Sequence, residues 1–247
     1  MLENYIDKVK RYYQYTKEEK KAFWIGTIGL TFILAFDISG QRSTLPEILK
    51  DLIIALIITT TALYAHHAGQ RLWGLRNGMK VRQELWWTGI VIALIIWVLS
   101  NGKAKFFAVS GTLYEYLKTH RLGYFRYQPM FSEMAVMLIM GPLSNLLIGG
   151  LAKTIEVAFF PGNNILIDIF RFNTIFALYN MLPIPPLDGS KVFFWSRLGY
   201  SFIMGSLLGY VLLSQFFGID SYLLSLVIGV VCWLTFYFGF EKEYRSQ

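Results

Sequence analysis

Apolar runs at residues 23–38, 52–75, 86–100, 135–160, 165–182, 202–217 and 221–240 make up most of this 247-residue chain, and short segments holding Pro, Gly, Asn and charge separate them. A helix needs roughly 17 to 25 apolar residues to cross a bilayer, so most of the runs are long enough and 86–100 is the short one. The composition agrees, with 55% of residues hydrophobic and 16% charged, where a soluble domain carries about a quarter charged. A water-soluble chain this apolar would lack the polar surface to cover its core, which excludes an ordinary soluble enzyme. The one cysteine, Cys232, lies inside an apolar run. No disulfide framework or thiolate zinc cluster follows from it, and any metal must use His, Asp, Glu or amide ligands. The net charge of +7 comes from Lys and Arg in the short segments between the runs. Cations placed that way argue for membrane orientation and against a nucleic-acid partner.

These features predict an all-α polytopic protein of the cell membrane, with about six transmembrane helices, a re-entrant or hairpin segment, and membrane lipids around it. Residues 1–22 mix both signs with Ile6, Val9, Tyr12 and Tyr13 at helical spacing and are expected to form an N-terminal interfacial segment. Residues 23–240 then form a single membrane domain and 241–247 a C-terminal tail. A cytoplasmic N-terminus puts the loop cations on the inner side except Arg42 and Lys50, the bias expected of inner loops. Lys153 and Glu156, three apart, are expected to neutralise each other on one helix face.

Two segments carry groups capable of chemistry. The run 52–75 holds Tyr64-Ala65-His66-His67-Ala68-Gly69-Gln70-Arg71. A histidine pair near the end of an apolar helix ordinarily sits there as an amphipathic cap at the interface. His66 and Gln70 are nevertheless four apart and share a helix face, the spacing of the two metal ligands in H-E-x-x-H. Later comes Asn180-Met181-Leu182-Pro183-Ile184-Pro185-Pro186-Leu187-Asp188-Gly189. Its prolines break the helix and free carbonyls, so this backbone must be buried in protein or line a wet cavity. Asp188 follows at once, where a carboxylate would ordinarily cap the next helix.

The stretch from Asn180 to Gly189 reads N-x-L-P-x-P-P-L-D-G and resembles the second signature of the site-2 protease family of intramembrane zinc metalloproteases. Gly141-Pro142-Leu143-Ser144-Asn145 resembles that family's G-P-x-x-N element, and residues 66–70 stand in the place of H-E-x-x-H in the correct order. The similarity covers about residues 50–195. It implies a site-2 protease-like core of membrane helices holding one zinc between two His and one Asp, with a Glu activating the bound water. It also implies that Asn145, Asn180, Pro185 and Pro186 contribute to binding an extended peptide, although either amide could instead serve an exposed backbone carbonyl.

By position, His66 matches the first zinc ligand and Asp188 the carboxylate ligand, while His67 replaces the Glu base and Gln70 the second His. A neutral amide is a poor substitute for imidazole, and losing the Glu removes the proton acceptor for metal-bound water. The zinc is therefore expected to be lost or weakly bound. The leading expectation is a non-catalytic or impaired homologue that binds transmembrane segments, whether substrates or partner proteins. One alternative is an active zinc metalloprotease using His66, Gln70 and Asp188 as ligands with His67 as base. A carrier or channel-like protein is another. All site readings require His66 and Asp188 to lie at one membrane depth. An even number of crossings must then separate them, so the short run 86–100 must turn back, either re-entrant or paired with 105–117.

Overall fold

The computed structural model describes residues 2–38, 44–117, 119–120, 123–124, 131–217 and 221–242, and they are mostly helical. The helices are α1 (Leu2–Tyr12), α2 (Lys17–Ile38), α3 (Leu45–Arg76), α4 (Trp87–Leu99), α5 (Phe131–Phe159), α6 (Asn164–Asn180), α7 (Asp188–Trp195), α8 (Arg197–Leu213) and α9 (Ser221–Phe236), the last running into a π-helical turn at Tyr237–Glu241. Three helical segments among the described residues are long and apolar enough to cross a bilayer: Leu45–Arg76, Phe131–Phe159 and Ser221–Glu241. They mark the chain as a membrane protein. Large apolar side chains such as Ile53, Leu147, Leu223 and Val227 stand exposed along them, as expected where lipid takes the place of water.

Local signals set the helix boundaries. Pro46 lies in the first turn of α3, and the Glu47 carboxylate accepts from the Thr44 backbone N–H at 2.8 Å. Asn163 starts α6, its side-chain oxygen accepting from the N–H groups of Ile165 and Leu166. The expected Lys153–Glu156 pair forms at 2.9 Å, and Glu156 also accepts from the Gly162 N–H in the turn beyond α5. The charged residues 17–21 form the first turns of α2, which runs on without a break into the apolar stretch.

Helices α3, α5 and α6 pack side by side, with α2 against α3 and with α8 and α9 paired on the far side. Helices α3 and α5 approach closely. A Cβ at Gly69 would strike the Ser144 Oγ and the Met140 carbonyl, and one at Gly141 would lie 2.6 Å from His66 Nε2. Small residues of this kind let backbones touch where lipid supplies no hydrophobic drive for association.

The all-α expectation needs correction between α3 and α5. Strands β1 (Met79–Leu85) and β2 (Ser110–Tyr116) pair antiparallel with Met79 opposite Tyr116 and Leu85 opposite Ser110. A second short pair joins β3 (Thr119–His120) to β4 (Gly123–Tyr124). The physical reason lies in residues 79–85, where Met79, Val81, Gln83 and Leu85 alternate with Lys80, Arg82 and Glu84, a period of two that suits a strand and not a helix. The ladder continues through the Trp86 N–H to the Val109 carbonyl at 2.8 Å. Between the strands, α4 has 13 residues, about 20 Å at 1.5 Å per residue and short of the roughly 30 Å hydrocarbon core. The chain then returns through Phe106, Phe107, Ala108 and Val109, which are buried against α2, α3 and α6. The segment therefore turns back, as the common depth of the two motifs requires.

Candidate functional site

His66 leaves α3 one turn before its crossing with α5, and Asp188 opens α7 directly after the proline-rich break. Their side chains meet, His66 Nε2 lying 3.1 Å from Asp188 Oδ2, and both residues are buried, 1% and 2% exposed. Asn145 on α5 fixes the imidazole. Its Oδ1 lies 2.8 Å from His66 Nδ1, while its Nδ2 donates to the Ala62 carbonyl and to Asn173 Oδ1. With its nitrogen donating twice, the Asn145 oxygen can only accept, so Nδ1 of His66 carries a proton. The contact between Nε2 and the Asp188 carboxylate is then attractive only with a second proton shared between them.

Gln70 completes the cluster. Its Nε2 donates to Asp188 Oδ2 at 2.6 Å and to the Leu138 carbonyl at 3.2 Å, and it lies 3.3 Å from His66 Nε2. Pro142, four residues after Leu138 and inside α5, has no N–H to offer that carbonyl. The G-P element thus has a local physical meaning: Gly141 lets α5 come close, and Pro142 leaves a carbonyl that the Gln70 amide satisfies. On the other side, Gln70 Oε1 accepts from Gln83 Nε2 at 2.8 Å and from Thr112 Oγ1 at 2.9 Å. These donors come from β1 and β2, so the strand pair holds the amide in one orientation.

His67 points elsewhere. It lies edge-on to Phe23 of α2, with ring centroids 5.8 Å apart, and neither of its ring nitrogens has a hydrogen-bond partner. Both adjacent histidines are buried, but roughly 100° of helix rotation separates them. The base position of the resembling motif is thus filled by a ring that packs against α2. Of the two uses expected for the amides, both serve backbone carbonyls: Asn145 caps Ala62, and Asn180 donates to Phe176 at 2.8 Å. Pro185 is exposed, and Pro186 packs on β2, where a Cβ at Gly111 would meet its ring at 3.2 Å. Lys191, one turn beyond Asp188, donates to the Thr112 carbonyl and ties α7 to β2. Burial pulls its ammonium below the usual lysine range, while the Asp188 and Glu84 carboxylates act in the opposite direction.

Gln83, Thr112 and Asn173 are cluster members that sequence reading overlooks. The signal for Gln83 was present, an amide on the otherwise apolar face of residues 79–85, where a polar side chain needs a buried partner. Thr112 and Asn173 carry no comparable mark.

Comparison with known proteins gives one informative match. A curated protein of Methanocaldococcus jannaschii named "Putative zinc metalloprotease MJ0611" is 27% identical over 170 residues, covering 66% of this chain and 81% of that protein. No family model and no solved structure matches the chain.

The donor set can be tested against zinc from its own chemistry. A catalytic zinc takes three protein ligands and a water. His66 Nε2 and Asp188 Oδ2 are suitable donors, but Gln70 presents its NH2 group to them, and an amide nitrogen donating two hydrogen bonds has no lone pair for a metal. Turning the amide round would set its NH2 against the Gln83 donor and its oxygen against the Asp188 and Leu138 oxygens. Each buried hydrogen bond left unmade in that state costs about 1–3 kcal/mol. No group of three or more His, Cys, Asp or Glu side chains suited to a metal occurs among the described residues. The residues do not fit a catalytic zinc.

Proposed function

We propose that this chain is a site-2 protease-like, multi-pass membrane protein whose metal centre has become a hydrogen-bonded cluster, and that it binds transmembrane segments without cutting them. One observation carries the reading: the N–H of Gln70 points at Asp188 where a metal ligand would have to present a lone pair. The Gln70 N–H faces the buried carboxylate from the side where a cation would otherwise stand. The three sequence motifs and the relative named as a zinc metalloprotease support the family assignment. About six crossings, with the N-terminus in the cytoplasm and the segment of α4 re-entrant, agree with the distribution of Lys and Arg.

An apolar hollow of about 340 Å³ between α5 and the α8–α9 pair, lined by Pro142, Leu146, Phe202 and Leu207 among others, supports the capture of an apolar segment from the lipid. The site-2 protease reading assigns Asn180, Pro185 and Pro186 to the extended part of such a segment.

Metal analysis of the purified protein, together with incubation with single-pass substrates, tests the proposal. It expects no stoichiometric zinc and cleavage at background. Zinc retained at one per chain and lost in Asp188→Asn, together with cleavage, would overturn it in favour of an active metalloprotease using His66, Gln70 and Asp188. The relative's name and the adjacency of two suitable donors, His66 Nε2 and Asp188 Oδ2, favour that second reading.

A further inference from the structure

Helix α1 packs along the last turns of α3, beyond the His66–Gln70 cluster. Between them is a cavity of about 750 Å³ lined by Asn4, Tyr5 and Lys8 of α1 and by Trp73, Arg76 and Asn77 at the end of α3. Every polar side chain in that set can donate, and no carboxylate lines the cavity. Tyr5 reaches across to the Leu72 carbonyl at 3.2 Å, which fixes α1 in place. The Arg76 guanidinium lies over the Trp73 ring at 4.9 Å, so it is held over the cavity wall. The Trp73 indole N–H is buried with no partner. The acidic residue nearest Lys8 on α1 is Asp7, and it is taken by Arg11 at 2.9 Å. Neither Lys8 nor Arg76 is paired with a carboxylate among the described residues.

We infer that this cavity binds a phosphate-bearing anion, the headgroup of an anionic phospholipid, between Lys8 and Arg76. Two cations around a cavity without carboxylates are the complement of a phosphodiester. The place selects a lipid over a soluble phosphate. The cavity sits at the end of a membrane-crossing helix, under an amphipathic helix with Ile6 and Leu72 exposed beside it, the depth at which headgroups lie. Arginine supplies the bidentate contact and lysine a point charge. The inference stands whether or not the His66–Asp188 cluster holds a metal.

The test uses the full chain purified in a zwitterionic detergent and titrated with short-chain phosphatidylglycerol, short-chain phosphatidylcholine and inorganic phosphate, with binding read by native mass spectrometry. Saturable binding of one phosphatidylglycerol is expected, at least tenfold weaker for phosphatidylcholine and tenfold weaker again in Lys8→Gln/Arg76→Gln. Inorganic phosphate at millimolar concentration should leave that binding in place. Phosphatidylglycerol bound equally well by the double variant would overturn the site. Equal binding of phosphatidylcholine, or displacement by inorganic phosphate, would overturn the assignment to an anionic lipid. Both substituted side chains line the cavity, and Lys8→Arg/Arg76→Lys, which keeps both charges, offers an independent variant: binding close to that of the unaltered chain is expected, and a loss as large as that of the Gln double variant would overturn the electrostatic reading.

Discussion

Gln70 donates its side-chain amide to the Leu138 carbonyl, the one that Pro142 leaves without a donor four residues on. The same amide nitrogen holds Asp188, and its oxygen is held by Gln83 and Thr112. Gln70 is thus absorbed into the packing of α3, α5, α7 and the strand pair.

These hydrogen bonds tie the cluster to the stability of the fold. Asp188→Ala should leave the Gln70 amide N–H and the His66 Nε2 without the Oδ2 atom that both meet, a loss of about 1–3 kcal/mol for each buried group left unsatisfied. For a chain of this size each kcal/mol lowers the melting midpoint by about 2–4 °C. Thermal unfolding in detergent checks this, and an unchanged midpoint would mean that the hydrogen bonds contribute nothing.

Restoring the ligand set is the converse experiment. In His67→Glu/Gln70→His, the imidazole at 70 would stand within reach of His66 and Asp188, and the variant should take up about one zinc per chain, measured by mass spectrometry of the metal after dialysis. A folded double variant that stays free of zinc would show that the backbone has drifted from metal-binding geometry.

The crossing of α3 and α5 should tolerate nothing larger than glycine. Gly141→Ala would bring a methyl group 2.6 Å from His66 Nε2 and 2.7 Å from Gln70 Nε2, with an overpacking loss of roughly 1–3 kcal/mol. Gly29→Ala on α2 meets nothing within 4 Å and serves as the control, expected to be neutral or slightly stabilising. Equal midpoints for the two variants would remove the close approach from the account of the fold.

At the end of α3, Arg71 and Glu19 form a buried ion pair, with Arg71 also stacked 3.8 Å over Tyr15 and donating to the Tyr13 carbonyl. Glu19→Gln leaves the guanidinium without its counter-charge and should cost about 3–5 kcal/mol, whereas the paired Glu19→Leu/Arg71→Met should cost less than either single change. Additive losses in the double-mutant cycle would contradict the coupling.

Tyr15 gives this region a pH dependence. Burial pushes its hydroxyl up to about 12, above the ordinary tyrosine value near 10. The folded state therefore holds the proton more tightly than the unfolded one. The contribution is full below about pH 10 and is lost as pH rises through about 12. Tyr15→Phe should flatten the fall in melting midpoint across that window, and an identical pH profile for the variant would rule the group out.

Much of this arrangement was legible in order along the chain. The spacing of His66 and Gln70, the proline break before Asp188 and the shortness of 86–100 together required the segment to turn back, and it does. The strand pair was harder to see, because the apolar run of α4 dominates its surroundings and the period-two pattern of 79–85 lies just outside it. The roles of Asn145 and Asn180 were open between peptide and carbonyl, since a side-chain amide has the same capacity for either until its neighbours are placed.

What the amino acids settled alone was the solvent: stretches of apolar residues this long can satisfy their backbone only as helices in lipid, and the few buried polar groups among them had to find one another. Which nitrogen faces Asp188 was decided only by the packed chain. An amide has two ends of opposite hydrogen-bonding character, and its orientation follows from donors and acceptors more than ten residues away in sequence on β1, β2 and α5, so no local pattern could encode it.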